Sequence, residues 1–151
     1  MTHPYSGPAE ASVTQEVVAH LVLAGEPPVS LPAELRYDRA DPCAVRLSVG
    51  TMSADPVDWV FARSLLSAGM SRPVGVGDIL VIPQRDRPRR WVRIVIRPLT
   101  GAAVLDIDAA AVAAFLERTC VVVPPGTEGR HIDLDRLVAE LLAGSGGGPG
   151  R

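Results

Sequence analysis

The stretch from residue 90 to residue 107 decides the fold class. It reads Arg90-Trp-Val-Arg-Ile-Val-Ile-Arg97, then Pro98-Leu-Thr-Gly101, then Ala103-Val-Leu-Asp-Ile107. In the first segment Val92, Ile94 and Ile96 fall on one side and Arg93 and Arg97 on the other, which is the period of two typical of a strand with one buried face. Because the Pro–Gly segment favours a turn, the two flanking segments are predicted to pair as a hairpin. This part of the chain therefore indicates antiparallel β-structure.

More extended segments lie upstream of this hairpin. Asp41-Pro42 and Asp55-Pro56 are predicted turns, and Gly75 to Asp78 turns the chain into another strand. The upstream strands are predicted over residues 13–23, 31–37, 43–49, 57–61 and 79–82. Short strands separated by Asp-Pro and glycine turns are typical of an antiparallel meander.

One mid-chain helix and two C-terminal helices complete the predicted element order. Gly69 is expected to end the first helix as a left-handed cap, and Asp108 is the N-cap of a second helix over residues 109–119. Asp133 begins a third helix, with its apolar stripe at Leu134, Leu137, Val138 and Leu141. We therefore predict an α+β fold, in which curved antiparallel sheets pack against a mid-chain helix and C-terminal helices.

Length and composition are those of one globular domain. The chain has 151 residues, of which 47% are hydrophobic and 21% charged, with a formal net charge of −2. Residues 1–12 are predicted to be a flexible arm, 13–143 the single domain, and 144–151 a glycine-rich tail. No apolar run reaches the ~20 residues of a membrane span, and no signal stretch begins the chain. We therefore expect a cytoplasmic protein without a membrane span.

Residues that could carry catalysis or bind metal are few. The three histidines are His3, His20 and His131, and His131-x-Asp133 lacks the further ligands that a zinc site needs. Gly75-x-Gly77 has neither the lysine nor the third glycine of a phosphate-binding loop. Cys43 and Cys120 each lie in an apolar run and are predicted to be small buried residues. We therefore predict no enzyme, no cofactor, and no catalytic, metal or cofactor-binding residue.

One cluster of arginines is a candidate contact site. Six arginines and one tryptophan fall within thirteen residues: Arg85, Arg87, Arg89, Arg90, Trp91, Arg93 and Arg97. Basic residues beside an aromatic ring can bind single-stranded nucleic acid by charge and stacking. The single aromatic residue and the acidic net charge of the chain argue against this interpretation. A solvated strand face, a protein contact and a nucleic-acid contact all stay open here.

Three long strings of residues together resemble the SsgA-like sporulation and cell-division proteins of actinobacteria. The first string is Leu31-Pro-Ala-Glu-Leu-Arg-Tyr-Asp-Arg-Ala-Asp-Pro42, followed by a strand. The second runs from Val57-Asp-Trp-Val-Phe61 to Gly69 and on through Arg72-Pro-Val-Gly75 and Gly77-Asp78. The third joins residues 115–119, 123–128 and 133–137. All 15 basic residues are arginine, as expected of a GC-rich source.

The resemblance implies a function and an architecture. It implies a non-enzymatic regulator of sporulation-specific cell division that helps localise the septum. Its partners would be the tubulin-like division protein FtsZ or another SsgA-like protein. It also implies a fold similar to the whirly-type β-sheet proteins, and a homotrimer. Because whirly relatives bind single-stranded nucleic acid, that function is the alternative, with the Arg85–Arg97 face as its site.

Overall fold

The chain folds around one curved, fully antiparallel sheet of eight strands. The structure, a computed structural model, describes residues 12–50, 55–86, 89–97 and 102–129. In chain order the strands are β1 Ser12–Leu23, β2 Glu26–Asp38, β3 Asp41–Val49, β4 Val57–Ala62, β5 Val74–Val76, β6 Ile79–Asp86, β7 Arg89–Ile96 and β8 Ala103–Asp108. The helices are α1 Arg63–Gly69 and α2 Ala109–Val122.

The element order confirms the prediction of four strands, a helix, further strands and a helix. The sequence predicted more than one sheet, whereas the strands form a single sheet with the order β4-β3-β2-β1-β8-β7-β6-β5. The predicted third helix, from Asp133, lies outside the described residues. The predicted tail lies there too, as does the arm except for its last residue, so these boundaries stay predictions.

Two four-stranded meanders meet along β1 and β8. Their contact is short, since β1 pairs with β8 only at Ala19–Ile107, His20–Asp106 and Leu21–Leu105. On the N-terminal side of Ala19, the edge of β1 is flanked by α2. The Arg118 guanidinium donates hydrogen bonds of 3.0 Å to the Thr14 carbonyl oxygen and to Gln15 Oε1. Helix α2 thus contributes hydrogen bonds to the N-terminal part of β1, which does not pair with β8.

Both helices pack on one face of the sheet, where the alternation of the strands places the apolar side chains. α1 contacts β3, β4, β5 and β6, whereas α2 contacts β1, β7 and β8. The largest fully buried side chains belong to both meanders and to both helices: Tyr37, Phe115, Leu35, Leu47, Leu66, Ile94, Leu105, Ile107, Val45, Val81, Val92 and Val112. Burial of this continuous layer is the main stabilising contribution to the fold.

Gly69 is needed for close packing and not for a left-handed cap, so the expectation from the sequence was wrong. Positive φ angles occur at Gly25, Gly77 and Gly126 but not at Gly69. A Cβ atom at Gly69 would overlap the Cβ and Cγ1 atoms of Val81 on β6. Glycine therefore allows α1 to approach the sheet.

The cysteines and one turn also differ from expectation. Cys43 is exposed and Cys120 is partly buried. The turn before β3 lies at Arg39–Ala40, and the Asp38 carboxylate accepts a hydrogen bond from the Ala40 N–H at 3.3 Å. The pairing register of β2 with β3 shifts between Tyr37 and Asp38. Because this irregularity interrupts the alternation at the start of β3, Cys43 is exposed there.

Candidate interaction surface

The second face of the sheet is the candidate site, because no helix of the described residues packs on it. Val13 and Ala19 of β1 are buried on the helix-covered face, whereas Val18, on the opposite face, is 50% exposed. Val60 on β4 is 56% exposed on this same face, since it pairs with Arg46. We call this surface the open face.

The pairing of β6 with β7 divides the predicted arginine cluster between the two faces. Arg85 pairs with Arg90, whereas Trp91 pairs with Gln84, and successive residues of a strand point to opposite faces. Arg89, Trp91 and Arg93 therefore lie on the open face, and Arg85 and Arg90 lie on the other. Arg97 follows β7 and its backbone N–H donates to the Asp78 carbonyl oxygen at 2.9 Å. Arg87 lies outside the described residues.

Arg93 makes a bidentate ion pair with Asp106 of β8. Its Nε and Nη2 atoms lie 2.8 Å and 2.9 Å from the two carboxylate oxygens. The two residues are cross-strand partners, so the backbone register positions the fork of the guanidinium against the carboxylate. This pairing neutralises one charge of the cluster within the chain itself.

Trp91 is the centre of an aromatic and basic group on the open face. The His20 ring lies edge-on to the indole, with ring centroids 5.1 Å apart and planes at 82°. Ser30 Oγ lies 3.0 Å from His20 Nδ1. On the other side, the Arg89 guanidinium lies 5.6 Å from the centroid of the Trp91 ring. His20 and Ser30 come from the other meander, so the aromatic group spans the junction between the two halves of the sheet.

A cleft of about 450 Å³ opens beside this group, where β8 ends between β1 and β7 and α2 begins. Val18, His20 and Trp91 supply apolar and aromatic surface, and Glu16, Arg89 and Asp108 supply charge. Asp108 is the N-cap residue of α2 as predicted, but its side chain makes no capping hydrogen bond. Its carboxylate is therefore available to the cleft.

A second group of polar residues, missed by the sequence analysis, lies on the helix-covered face. Arg63, the first residue of α1, is 3% exposed. Its Nη1 donates to the carbonyl oxygens of Thr119 and Val123 at 3.1 Å and 2.8 Å, at the end of α2. Its Nη2 lies 2.6 Å from Glu128 Oε2. Since these partners are 56 to 65 residues away in sequence, no local pattern could have indicated the group.

The environment of Arg63 changes two pKa values. The hydrogen bond from Arg63 lowers the pKa of the Glu128 carboxyl below its ordinary value of 4.5, and the Gly126 N–H adds to this effect. Burial raises the pKa of the Tyr37 hydroxyl from 10.0 to about 12, although the Arg63 charge opposes the change. The Tyr37 hydroxyl donates to the Pro42 carbonyl oxygen at 2.9 Å, and Arg63 lies 4.9 Å from the Tyr37 ring centroid. This group joins α1, the end of α2 and β2.

Side chains that could together bind a metal ion do not assemble in the described part of the chain. Within residues 12–50, 55–86, 89–97 and 102–129, no three His, Cys, Asp or Glu side chains are placed to hold a metal ion. The same residues include no helix that is long and apolar enough to cross a membrane. His131 and Asp133, the pair considered from the sequence, lie outside them.

The architecture defines an α+β protein built on one antiparallel sheet with a helix-covered face and an open face. The family model described as Streptomyces sporulation and cell division protein, SsgA, matches residues 31–128. The chain belongs to this family.

Two relatives match almost over their whole length. The sporulation-specific cell division protein SsgB of Streptomyces coelicolor is 44% identical over 134 residues, which are 89% of this chain and 98% of that protein. SsgB of Thermobifida fusca is 38% identical over 132 residues, 87% of this chain and 96% of that protein.

Solved structures agree with the fold. A structure from a study of SsgB mutations in the sporulation of S. coelicolor has a TM-score of 0.76, covers 80% of this chain and 95% of that chain, and is 44% identical. The crystal structure of an SsgA-like sporulation-specific cell division protein from T. fusca has a TM-score of 0.79. It covers 86% of this chain and 95% of that chain, and is 38% identical. The resemblance inferred from the three strings of residues is thereby confirmed.

Proposed function

We propose that this chain is a non-enzymatic regulator of sporulation-specific cell division, which acts by binding other division proteins at the septum. The observation that carries the proposal is the 44% identity to SsgB of S. coelicolor over 98% of that protein's length. Because the match extends over the whole relative, it includes the open face as well as the core.

The open face supplies the kind of surface that such binding needs. Trp and Arg are the residues most often responsible for binding energy in protein interfaces, and here Arg89 and Trp91 lie together beside an open cleft. The contacts of Trp91 with His20 hold the ring in place before any partner binds. Less side-chain freedom is then lost on association, which favours affinity.

The proposed partners are FtsZ or another SsgA-like protein, and the proposed assembly is a homotrimer. Co-sedimentation with polymerised FtsZ, and pull-down with an SsgA-like protein, test the two partners directly. We expect Trp91→Ala to reduce binding at least tenfold, a loss of about 1.4 kcal/mol or more.

The matched control is Arg90→Ala, on the same hairpin but the opposite face. It should leave binding unchanged, since Arg90 points away from Trp91. If the wild-type protein binds neither partner, the proposed function is wrong. Equal losses for the two variants would exclude the open face as the binding surface.

Single-stranded nucleic-acid binding remains the alternative, and one observation favours it. The Arg89 guanidinium and the Trp91 ring lie together on an exposed sheet face, an arrangement that can stack a base beside a positive charge. Against it, Arg93 is neutralised by Asp106, and Glu16 and Asp108 add negative charge to the cleft. Titration of a fluorescent oligothymidine at low salt decides: binding that weakens steeply with salt supports this function, and no binding excludes it.

A further inference from the structure

The register of β1 to β4 arranges the charges of the open face in two rows that run across the strands. Glu16 pairs with Glu34, Glu34 with Ser48, and Ser48 with Asp58. The neighbouring row, two residues further along each strand, is Thr14, Arg36, Arg46 and Val60. We call them the acidic row and the basic row. Glu16, Arg36, Arg46 and Asp58 are exposed, and Glu34 is partly exposed.

Each row places like charges directly opposite one another. Glu16 faces Glu34, and Arg36 faces Arg46, on neighbouring strands. Directly opposed like charges destabilise a sheet. In the part of the chain that the structure describes, the ion pairs are Arg63–Glu128 and Arg93–Asp106, so neither row is neutralised by an ion pair. Both rows therefore keep their charge at the surface, where a partner of opposite charge can bind.

The two rows are complementary to each other. A two-fold axis that lies in the plane of the open face, parallel to the rows and midway between them, exchanges their positions. Two copies related by this axis place the acidic row of each copy over the basic row of the other, with Glu34 over Arg36 at both symmetric positions. The strands of the two sheets then lie along one another, which is the common way in which two sheets pack face to face.

We propose that the open face of β1 to β4 binds a second copy of this chain through these two rows. The self-association goes beyond the proposed role in cell division and does not require FtsZ. Dimerisation would in turn cover the β1–β4 half of the face and leave Trp91 on the other half.

The size of the surface sets the strength of this association. The four strands β1 to β4 lie about 4.8 Å apart, and residues that share a face of one strand lie about 6.8 Å apart. Four such residues on each of the four strands span roughly 500 Å². Stable complexes bury about 800 Å² on each partner. The self-association is therefore weak, and it depends on charge.

Sedimentation velocity over a protein concentration series up to about 1 mM, in the range of weak affinities, tests the proposal. We expect the mass of the species present at about 1 M salt to double at about 0.01 M salt, because the Debye length rises from about 3 Å to about 30 Å. An unchanged mass at every concentration in low salt would overturn the proposal.

Two charge reversals make the test specific. In Glu34→Arg, the introduced arginine faces Arg36 of the other copy at both symmetric positions, and in Arg36→Glu the introduced glutamate faces Glu34. Each variant alone should associate at least tenfold more weakly than the wild type. An equimolar mixture of the two should associate again, since the arginine introduced into the first variant then faces the glutamate introduced into the second.

The controls keep this result separate from folding and from the proposed function. Both positions lie on the open face away from the core, and each reversal replaces a cross-strand pair of like charges by a pair of opposite charges, so the variants should melt at a temperature no lower than that of the wild type. Glu117→Arg, an exposed change on α2, is the matched control and should leave the association unchanged. A mixture that associates no better than the separate variants would rule out the paired rows, whatever the outcome with FtsZ.

Discussion

At the scale of single residues, Arg63 is the one charged side chain that is buried in the described part of the chain. A guanidinium that is 3% exposed is stable only if its donors are paired. The Glu128 carboxylate balances its charge, and the carbonyl groups at the end of α2 accept its other hydrogen bonds. Breaking one member of such a group leaves a buried charge without compensation, which is costly.

Replacing Glu128 by Gln should make the free energy of unfolding less dependent on pH in the acidic range. The folded-state pKa of Glu128 lies below its ordinary value of 4.5, so its contribution is complete above pH 4.5 and is lost as the pH falls through the folded pKa. At pH 7 we expect Glu128→Gln to lower the free energy of unfolding by about 1–2 kcal/mol, since the amide keeps a neutral hydrogen bond.

Urea denaturation at a series of pH values measures this effect. The difference between the two proteins should narrow as the pH falls below 4.5. Glu117→Gln, at an exposed position on α2, is the control and should follow the wild type throughout. A difference that stays constant down to the acid transition would contradict the assignment of the ion pair to stability.

At the scale of elements, the position of α1 on the sheet depends on the absence of a side chain at Gly69. The helix has seven residues, too few to be stable alone in water, so it depends on packing. Leu65 and Leu66 are buried beneath it, and Gly69 lets its last turn approach Val81. Helix propensity favours Ala over Gly by about 1 kcal/mol, so the choice of glycine here reflects packing alone.

We expect Gly69→Ala to destabilise the protein by about 1–3 kcal/mol, because a Cβ atom would displace Val81. A double-mutant cycle with Val81→Ala separates this overlap from other effects. Val81→Ala removes the Cγ1 atom that the new Cβ atom would overlap and keeps only the Cβ atom of residue 81. Part of the overlap is thereby relieved, so the double variant should lose less stability than the sum of the two single changes. If the two changes are strictly additive in thermal or urea melts, the close approach of Gly69 to Val81 does not determine the position of α1 on the sheet.

At the scale of the whole molecule, the sheet is two meanders held together by a short seam. β1 and β8 share three residue pairs, and α2 reinforces the seam through its contacts with β1, β7 and β8. The two groups that we assign to binding lie at different places relative to this seam. The aromatic group around Trp91 spans the seam, whereas the charged rows belong to β1–β4 alone.

The assembly of the molecule is the prediction at this scale. Family resemblance implies a homotrimer, so light scattering coupled to size exclusion should give a mass near three times 15.9 kDa at moderate salt. Association through the charged rows would add to this mass only at low salt and high concentration. A monomer at moderate salt would contradict the trimer and leave the open-face dimer to be tested by itself.

The sequence by itself determined the features that depend on local pattern. Alternation over residues 90–97 indicated β7, the stripe in residues 109–119 indicated α2, and the turn residues indicated antiparallel pairing, because side-chain direction repeats every two residues in a strand and every 3.6 in a helix. The family resemblance also followed from the sequence, since long strings of residues carry it.

Only the tertiary structure decided which residues meet. Strand alternation separated Arg90 from Arg89 and Trp91, and pairing with β8 joined Arg93 to Asp106. The seam brought His20 to Trp91, which is distant from it in sequence, and β2 brought Arg36 opposite Arg46. Gly69 and Arg63 likewise owe their roles to distant neighbours. Periodicity specifies the direction of a side chain, but its neighbour depends on strand order and register, which the packing of the whole chain selects.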